Sequence, residues 1–139
     1  MKLFNSALCG LVLLSIASFA QADIAVIVAK DSGLTASGDQ IPRIFLGKLK
    51  NFDSGEVATP IYAQDENPSH KEFNSKVLKK SAGQLKAYWS KLLFSGKGAP
   101  PKEFASDADI INAVVANKGT IGYISAASVT DGVTVIGTY

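Results

Sequence analysis

Residue types able to do chemistry are sparse in this sequence. His70 is its one histidine, set in the polar stretch Ser69-His70-Lys71-Glu72, and Cys9 is its one cysteine. A histidine with no second histidine and no carboxylate cluster at ligand spacing makes neither a metal site nor a relay, and no HExxH pattern occurs. His70 therefore reads as an exposed residue in the first turn of a helix. Asp65 and Glu66 are adjacent acids that read as a solvated loop, although they follow a strand, where α/β proteins place ligand contacts. Gly96-Lys97-Gly98 lacks the preceding strand and the GxxxxGK[ST] spacing of a phosphate loop. Lys48, Lys50, Lys79 and Lys80 read as solvated charges. With no nucleophile–base pair, the sequence predicts a protein that is not an enzyme and carries no metal or cofactor.

One place has more chemical content. The apolar run Ile61-Tyr62-Ala63 leads through residues 64–67 to a helix starting near Pro68 or Ser69. A helix N-terminus behind a strand offers backbone N–H groups and the positive end of a dipole, which suits an anion. Ser69 can donate its hydroxyl to such an anion, or it can cap the helix in a box with Glu72; Asn67 before Pro68 is an alternative cap.

The elements that would hold this corner alternate along the chain. Ile24-Ala25-Val26-Ile27-Val28 reads as a buried strand. A short or irregular helix follows, capped by Ser37 with Gln40, striped by Ile41, Ile44 and Phe45, disturbed by Pro42 and stopped by Gly47. After the turn Asp53-Ser54-Gly55 come a strand at residues 59–63 and a helix burying Phe73, Val77 and Leu78. The next helix has the strongest periodicity, with a Ser81–Gln84 box and an apolar face of Leu85, Tyr88, Trp89, Leu92 and Leu93. A loop at residues 96–101 leads to a helix capped by Ser106 or Asp107, with Ile110, Ile111, Val114 and Val115 apolar, ending near Gly119. Two strands, residues 121–124 and 133–136, close the chain. This order predicts an α/β fold: a single small domain with a mixed sheet of about four strands and flanking helices.

Composition agrees with one globular domain: 139 residues, 47% hydrophobic and 19% charged. A net charge of +2 excludes a polybasic nucleic-acid binder, and the apolar content excludes disorder. Met1-Lys2 gives a positive start, residues 3–19 are mostly apolar, and Ala20-Gln21-Ala22 is a small-x-small site. Residues 1–22 therefore read as an export signal cut before Asp23. Asn5, Ser6, Ser15 and Ser18 interrupt the stretch, which falls short of the ~20 strongly apolar residues of a permanent span. Leu8 before Cys9 is too bulky for a lipid-anchor site. The mature domain, residues 23–139, then has no cysteine, which suits a bacterial periplasm.

Three stretches are similar to the phosphate-binding proteins of ABC transporters: Ile44-Phe45-Leu46-Gly47-Lys48, Trp89 through Phe94-Ser95-Gly96, and Gly119-Thr120-Ile121-Gly122-Tyr123-Ile124. In order and spacing they resemble the second lobe of that two-lobed family and span residues 24–136. The resemblance implies a small single periplasmic-binding-protein-like lobe that binds phosphate or a similar anion non-covalently, with a membrane permease or another envelope protein as partner. In the family an arginine and a Ser-Gly-Thr at the helix start hold the phosphate. Here Ala63 or Gln64 stands at the arginine's place, and Asn67-Pro68-Ser69 replaces Ser-Gly-Thr, so only Ser69 keeps a matching hydroxyl. Phe52 stands where the family often has tryptophan. The candidate anion-binding residues that the resemblance implies are Gln64, Asn67, Ser69, His70 and Lys71.

Magnitudes set the expected affinity. An anion in a closed cleft collects many charge-assisted bonds worth about 1.5–3 kcal/mol each. An open lobe leaves most of the anion hydrated, so the expectation is binding at or weaker than roughly millimolar, about 4 kcal/mol. The lost arginine and Ser-Gly-Thr also fit a second reading, an interaction module that docks on an envelope protein and no longer binds phosphate.

Overall fold

The computed structural model describes residues 23–139. The predicted export signal at residues 1–22 lies outside the described residues. Strand β1 (Ile24–Ala29) is buried along all but its last residue, as a continuous apolar run requires when neighbours cover both faces. Helix α1 (Gln40–Phe45) turns Ile41, Ile44 and Phe45 into the core and ends where Gly47 adopts φ +70°. The predicted box at its start is half made. Gln40 Oε1 accepts from Ser37 N at 2.8 Å, while the Ser37 hydroxyl donates to Asp39 instead of capping.

Strand β2 (Thr59–Ala63) leads to helix α2 (Pro68–Phe73), which runs on into a π-helical turn, Asn74–Leu78. Asn67, not Ser69, caps α2: its Oδ1 accepts from Ser69 N at 2.9 Å, and Pro68 occupies the first helical position. Glu72 points away from the cap and lies 3.5 Å from Lys76 Nζ. Lys80 N donates to Asn74 O at 3.0 Å, and Lys79 in the left-handed region ends the turn.

Helix α3 (Ala82–Phe94) starts with the predicted Ser81–Gln84 box, both halves of which are made. Leu85 and Trp89 are buried, and Tyr88 and Leu92 are half-buried. Leu93 is 60% exposed, and Phe94, Ser95 and Gly96 are exposed with it. Strand β3 (Lys102–Phe104) precedes helix α4 (Asp107–Ala116), capped by Ser106. Ile110 and Val114 are the buried i, i+4 pair of α4, which leaves Val115 exposed. Strands β4 (Thr120–Ser125) and β5 (Val133–Thr138) complete the fold.

The sheet has five strands in the order β3-β2-β4-β1-β5, not about four. The strand that the periodicity misses is β3, whose three residues carry a single apolar side chain. It pairs parallel with β2, which also runs parallel to β4. β1 is antiparallel to β4 and β5. The core beneath α2 is aromatic: Phe73 stacks on Tyr123 with ring centroids 3.7 Å apart, and Phe45 meets Phe73 edge-on at 4.7 Å.

Candidate functional site

Strands β2, β3 and β4 point the same way, so their carboxyl ends share one edge of the sheet, the place where open α/β folds put their ligands. Asp107, the first residue of α4, ties that edge together. Its Oδ1 accepts from Asn67 Nδ2 at 3.0 Å, and its Oδ2 accepts from Ser125 N at 3.1 Å. One carboxylate thereby links the β2–α2 corner, the end of β4 and the start of α4.

His70 sits at the centre of this edge and is buried, 5% exposed, not the surface residue its polar neighbours suggest. α2 lays one face on β4, and Ser69, His70, Phe73 and Asn74 all fall on that face. His70 Nδ1 lies 3.1 Å from Tyr123 Oη, which accepts from Ala63 N at 3.0 Å. Tyr123 Oη thus bridges the Ala63 N–H and the imidazole Nδ1. Nε2 lies 3.1 Å from Asp65 Oδ1, on a side chain that is 78% exposed. The Asn74 amide also meets Nε2, at 3.0 Å, and one end of that buried amide has no hydrogen-bond partner among the described residues. Burial pushes the Tyr123 and Tyr62 phenols well above their ordinary range. Tyr62 Oη donates to Phe45 O at 2.6 Å and accepts from Trp89 Nε1 at 3.3 Å. Both phenols thus serve as neutral hydrogen-bonding groups.

Two grooves meet at Asp65 and His70. One, of about 480 Å³, runs beside α3 over Tyr62, Leu85 and Trp89. The other, of about 700 Å³, lies beside the π-helical turn and is bordered by Lys71, Lys79 and Lys80. Asp65 lines both grooves; Glu103 and Lys86 add one charge of each sign to the first, and three ammonium groups make the second basic, which gives the edge a marked polarity.

The structure brings the predicted residues to this edge in different roles. His70 lines both grooves and Lys71 lines the basic one. Gln64 is half-buried, and its backbone N donates to Phe104 O at 2.9 Å, which fixes β3 beside the corner. Asn67 is engaged by the cap and by Asp107, and Ser69 is buried. The first turn of α2 uses its donors internally. Pro68 has none, Ser69 N goes to Asn67 Oδ1, and His70 N goes to Asn67 O at 2.9 Å. Tyr123, Asn74, Lys79, Lys80 and Glu103 also stand at the edge, and sequence reasoning missed their place there. For Asn74 a signal existed, since it lies four residues after His70 and one after Phe73 on the buried stripe.

No family model matches the sequence, and no curated protein matches it either. Solved structures match in fold. Over 83% of its length the chain superimposes on a phosphate ABC transporter substrate-binding protein from Clostridium perfringens with bound phosphate, with TM-score 0.64 and 21% identity. An ABC-type phosphate transport receptor from Vibrio cholerae gives 0.62 and 17%, and PstS from Borrelia burgdorferi gives 0.58 and 14%, each again over 83% of this chain. The fold is that of one lobe of such proteins. The chain spans only 45%, 46% and 47% of the three matched structures, respectively. Among the described residues, no helix is long and apolar enough to cross a membrane.

Proposed function

We propose that this protein is an exported, solute-binding-like protein that holds phosphate or a similar oxyanion weakly at the β2–α2 corner, where Lys71, Lys79 and Lys80 face a groove beside His70. The observation that carries the reading is the basic groove on the strand-end edge of a fold shared with a structure containing bound phosphate. With the first-turn N–H groups of α2 engaged, the lysine ammonium groups supply most of the attraction, with Gln64, Asn67 and the Ser69 hydroxyl at the margin. Lys71 and Lys79 are exposed and stay hydrated, and half-buried Lys80 holds its Nζ 5.6 Å from the Tyr88 ring centroid, so the affinity is at or weaker than roughly millimolar. A membrane permease is the matching partner. An export signal at residues 1–22, a mature domain at 23–139 and a periplasmic location belong to the same reading, and the N-terminal sequence of the mature protein, expected to begin at Asp23, checks them.

Titration calorimetry with phosphate, and sulfate as control, tests the binding. Saturable heat that disappears in the Ser69→Ala/Lys71→Ala double variant supports the site, and undiminished affinity in that variant overturns it. The engaged helix start favours a second reading, a lobe that no longer binds phosphate and docks on an envelope protein. An absence of heat up to about 10 mM phosphate selects that reading.

A further inference from the structure

Two neighbouring features of α3 have no part in anion binding. Phe94 is 98% exposed, and Leu93 beside it is 60% exposed. An isolated surface leucine needs no explanation, but a fully exposed phenylalanine next to a residue that lines an apolar groove does. The groove of about 480 Å³ begins at Leu93 and Pro100 and runs over Tyr62, Leu85 and Trp89.

We propose that this face pairs with a second copy of this chain, Phe94 of each copy entering the groove of the other. Charge complementarity chooses the occupant. Asp65 and Glu103 outweigh Lys86 among the exposed charges that border the groove and leave it net acidic, whereas Phe94 is flanked by exposed Lys91 and Lys97. Lys91 lies three residues before Phe94 and shares its side of the helix. The acidic border disfavours an anionic lipid surface, and a basic-flanked phenyl ring fits it. Knob and groove lie on the same side of α3, because Phe94 stands one helical turn after Ser90, which lines the groove. A two-fold axis therefore satisfies both at once and closes the assembly at two copies. Buried aromatic anchors of this kind dominate interface energetics. Two phenyl rings bury roughly 300–500 Å², well below the about 1,200 Å² at which standard interfaces begin, so the dimer is weak and concentration-dependent. The pairing does not depend on the anion reading.

Sedimentation equilibrium on the purified protein tests the proposal. The wild type is expected to show a monomer–dimer equilibrium. Phe94→Ser and Glu103→Lys are each expected to weaken it by roughly tenfold or more. Both positions are exposed, so the circular dichroism spectrum and melting temperature of dilute protein should stay unchanged. A wild type that remains monomeric up to about 1 mM, or either variant dimerising as tightly as the wild type, overturns the proposal.

Discussion

Tyr123 Oη lies 3.1 Å from His70 Nδ1 and 3.0 Å from Ala63 N, so one hydroxyl joins α2, β4 and the end of β2. The ring beneath it stacks flat on Phe73, which makes the same tyrosine an apolar support and a polar junction. The polarity of the strand-end edge depends on this junction. It fixes the orientation of the imidazole and thereby presents Nε2 to Asp65 where the two grooves meet.

Tyr123→Phe keeps the stacking and removes the hydroxyl. Ala63 N–H and His70 Nδ1 are then left without their buried partner. Each such loss costs about 1–3 kcal/mol, so the variant should be destabilised by roughly 2–4 kcal/mol. Urea unfolding should show a lower midpoint at unchanged slope. A shift below about 0.5 kcal/mol would mean that water or another group takes over both bonds.

The buried phenols also predict alkaline sensitivity. Burial raises the folded-state pKa of Tyr62 and Tyr123 above the ordinary value of about 10. Their contribution is fully present below that unfolded value. Above it the unfolded chain releases protons that the folded chain keeps, so stability falls as pH rises. Two such groups lose about 3 kcal/mol together between about pH 9 and 11. Unfolding midpoints across that range check this, and Tyr62→Phe should make the pH slope shallower, with the remainder left to Tyr123 and the less buried Tyr88 and Tyr139.

Much of the fold was legible because it rests on local signals. The run at Ile24 through Val28, the Ser81–Gln84 box and the stop at Gly47 each act within a few residues, and each stands in the structure as its chemistry requires. β3 was not legible, because Lys102-Glu103-Phe104 becomes a strand only through its pairing with β2. The burial of His70 was hidden for a related reason. The inward face of α2 and its π-helical turn, Ser69, His70, Phe73, Asn74, Val77 and Leu78, is helically periodic, yet three of its six members are polar. A hydropathy pattern sees only Phe73, Val77 and Leu78. His70 becomes a core residue once Tyr123, 53 residues along the chain, supplies a partner, and Asn74 is buried against the same imidazole. The grooves combine residues from four separate segments, and no spacing along the chain announces such a combination.

Asn67 carries two bonds that a simple cap does not, and its replacement should register both. Asn67→Ala removes the cap on Ser69 N and the link to Asp107. A lost cap costs about 1 kcal/mol, and the freed, half-buried carboxylate adds to this. The expected loss is about 1.5–3 kcal/mol. Asn67→Asp keeps the cap but sets a second carboxylate against Asp107, so it should not restore full stability at neutral pH and should recover part of it in mild acid. Thermal melts at about pH 4 and 7 separate the two effects.

Two glycines of the Gly119–Ile124 stretch are required by packing. Gly119 adopts φ +94°, and a Cβ there would stand 2.8 Å from Val57 O, a backbone atom with little freedom to move. Gly122, inside β4, would place a Cβ 2.8 Å from Ile110 Cγ2 and 3.2 Å from Ile61 Cγ1, pushing α4 off the sheet. Overpacking of this kind costs about 1–3 kcal/mol. Gly119→Ala adds backbone strain of about 1–2 kcal/mol to its clash and should be the more damaging change. Ile110→Ala removes the Cγ2 that Gly122→Ala strikes, so the double variant Gly122→Ala/Ile110→Ala should lose less stability than the sum of its two single changes, whereas the losses of Gly119→Ala and Ile110→Ala should simply add. Urea unfolding of the three single variants and the two pairs tests this. Equal effects of Ile110→Ala in both backgrounds would show that α4 is not what limits the space at Gly122.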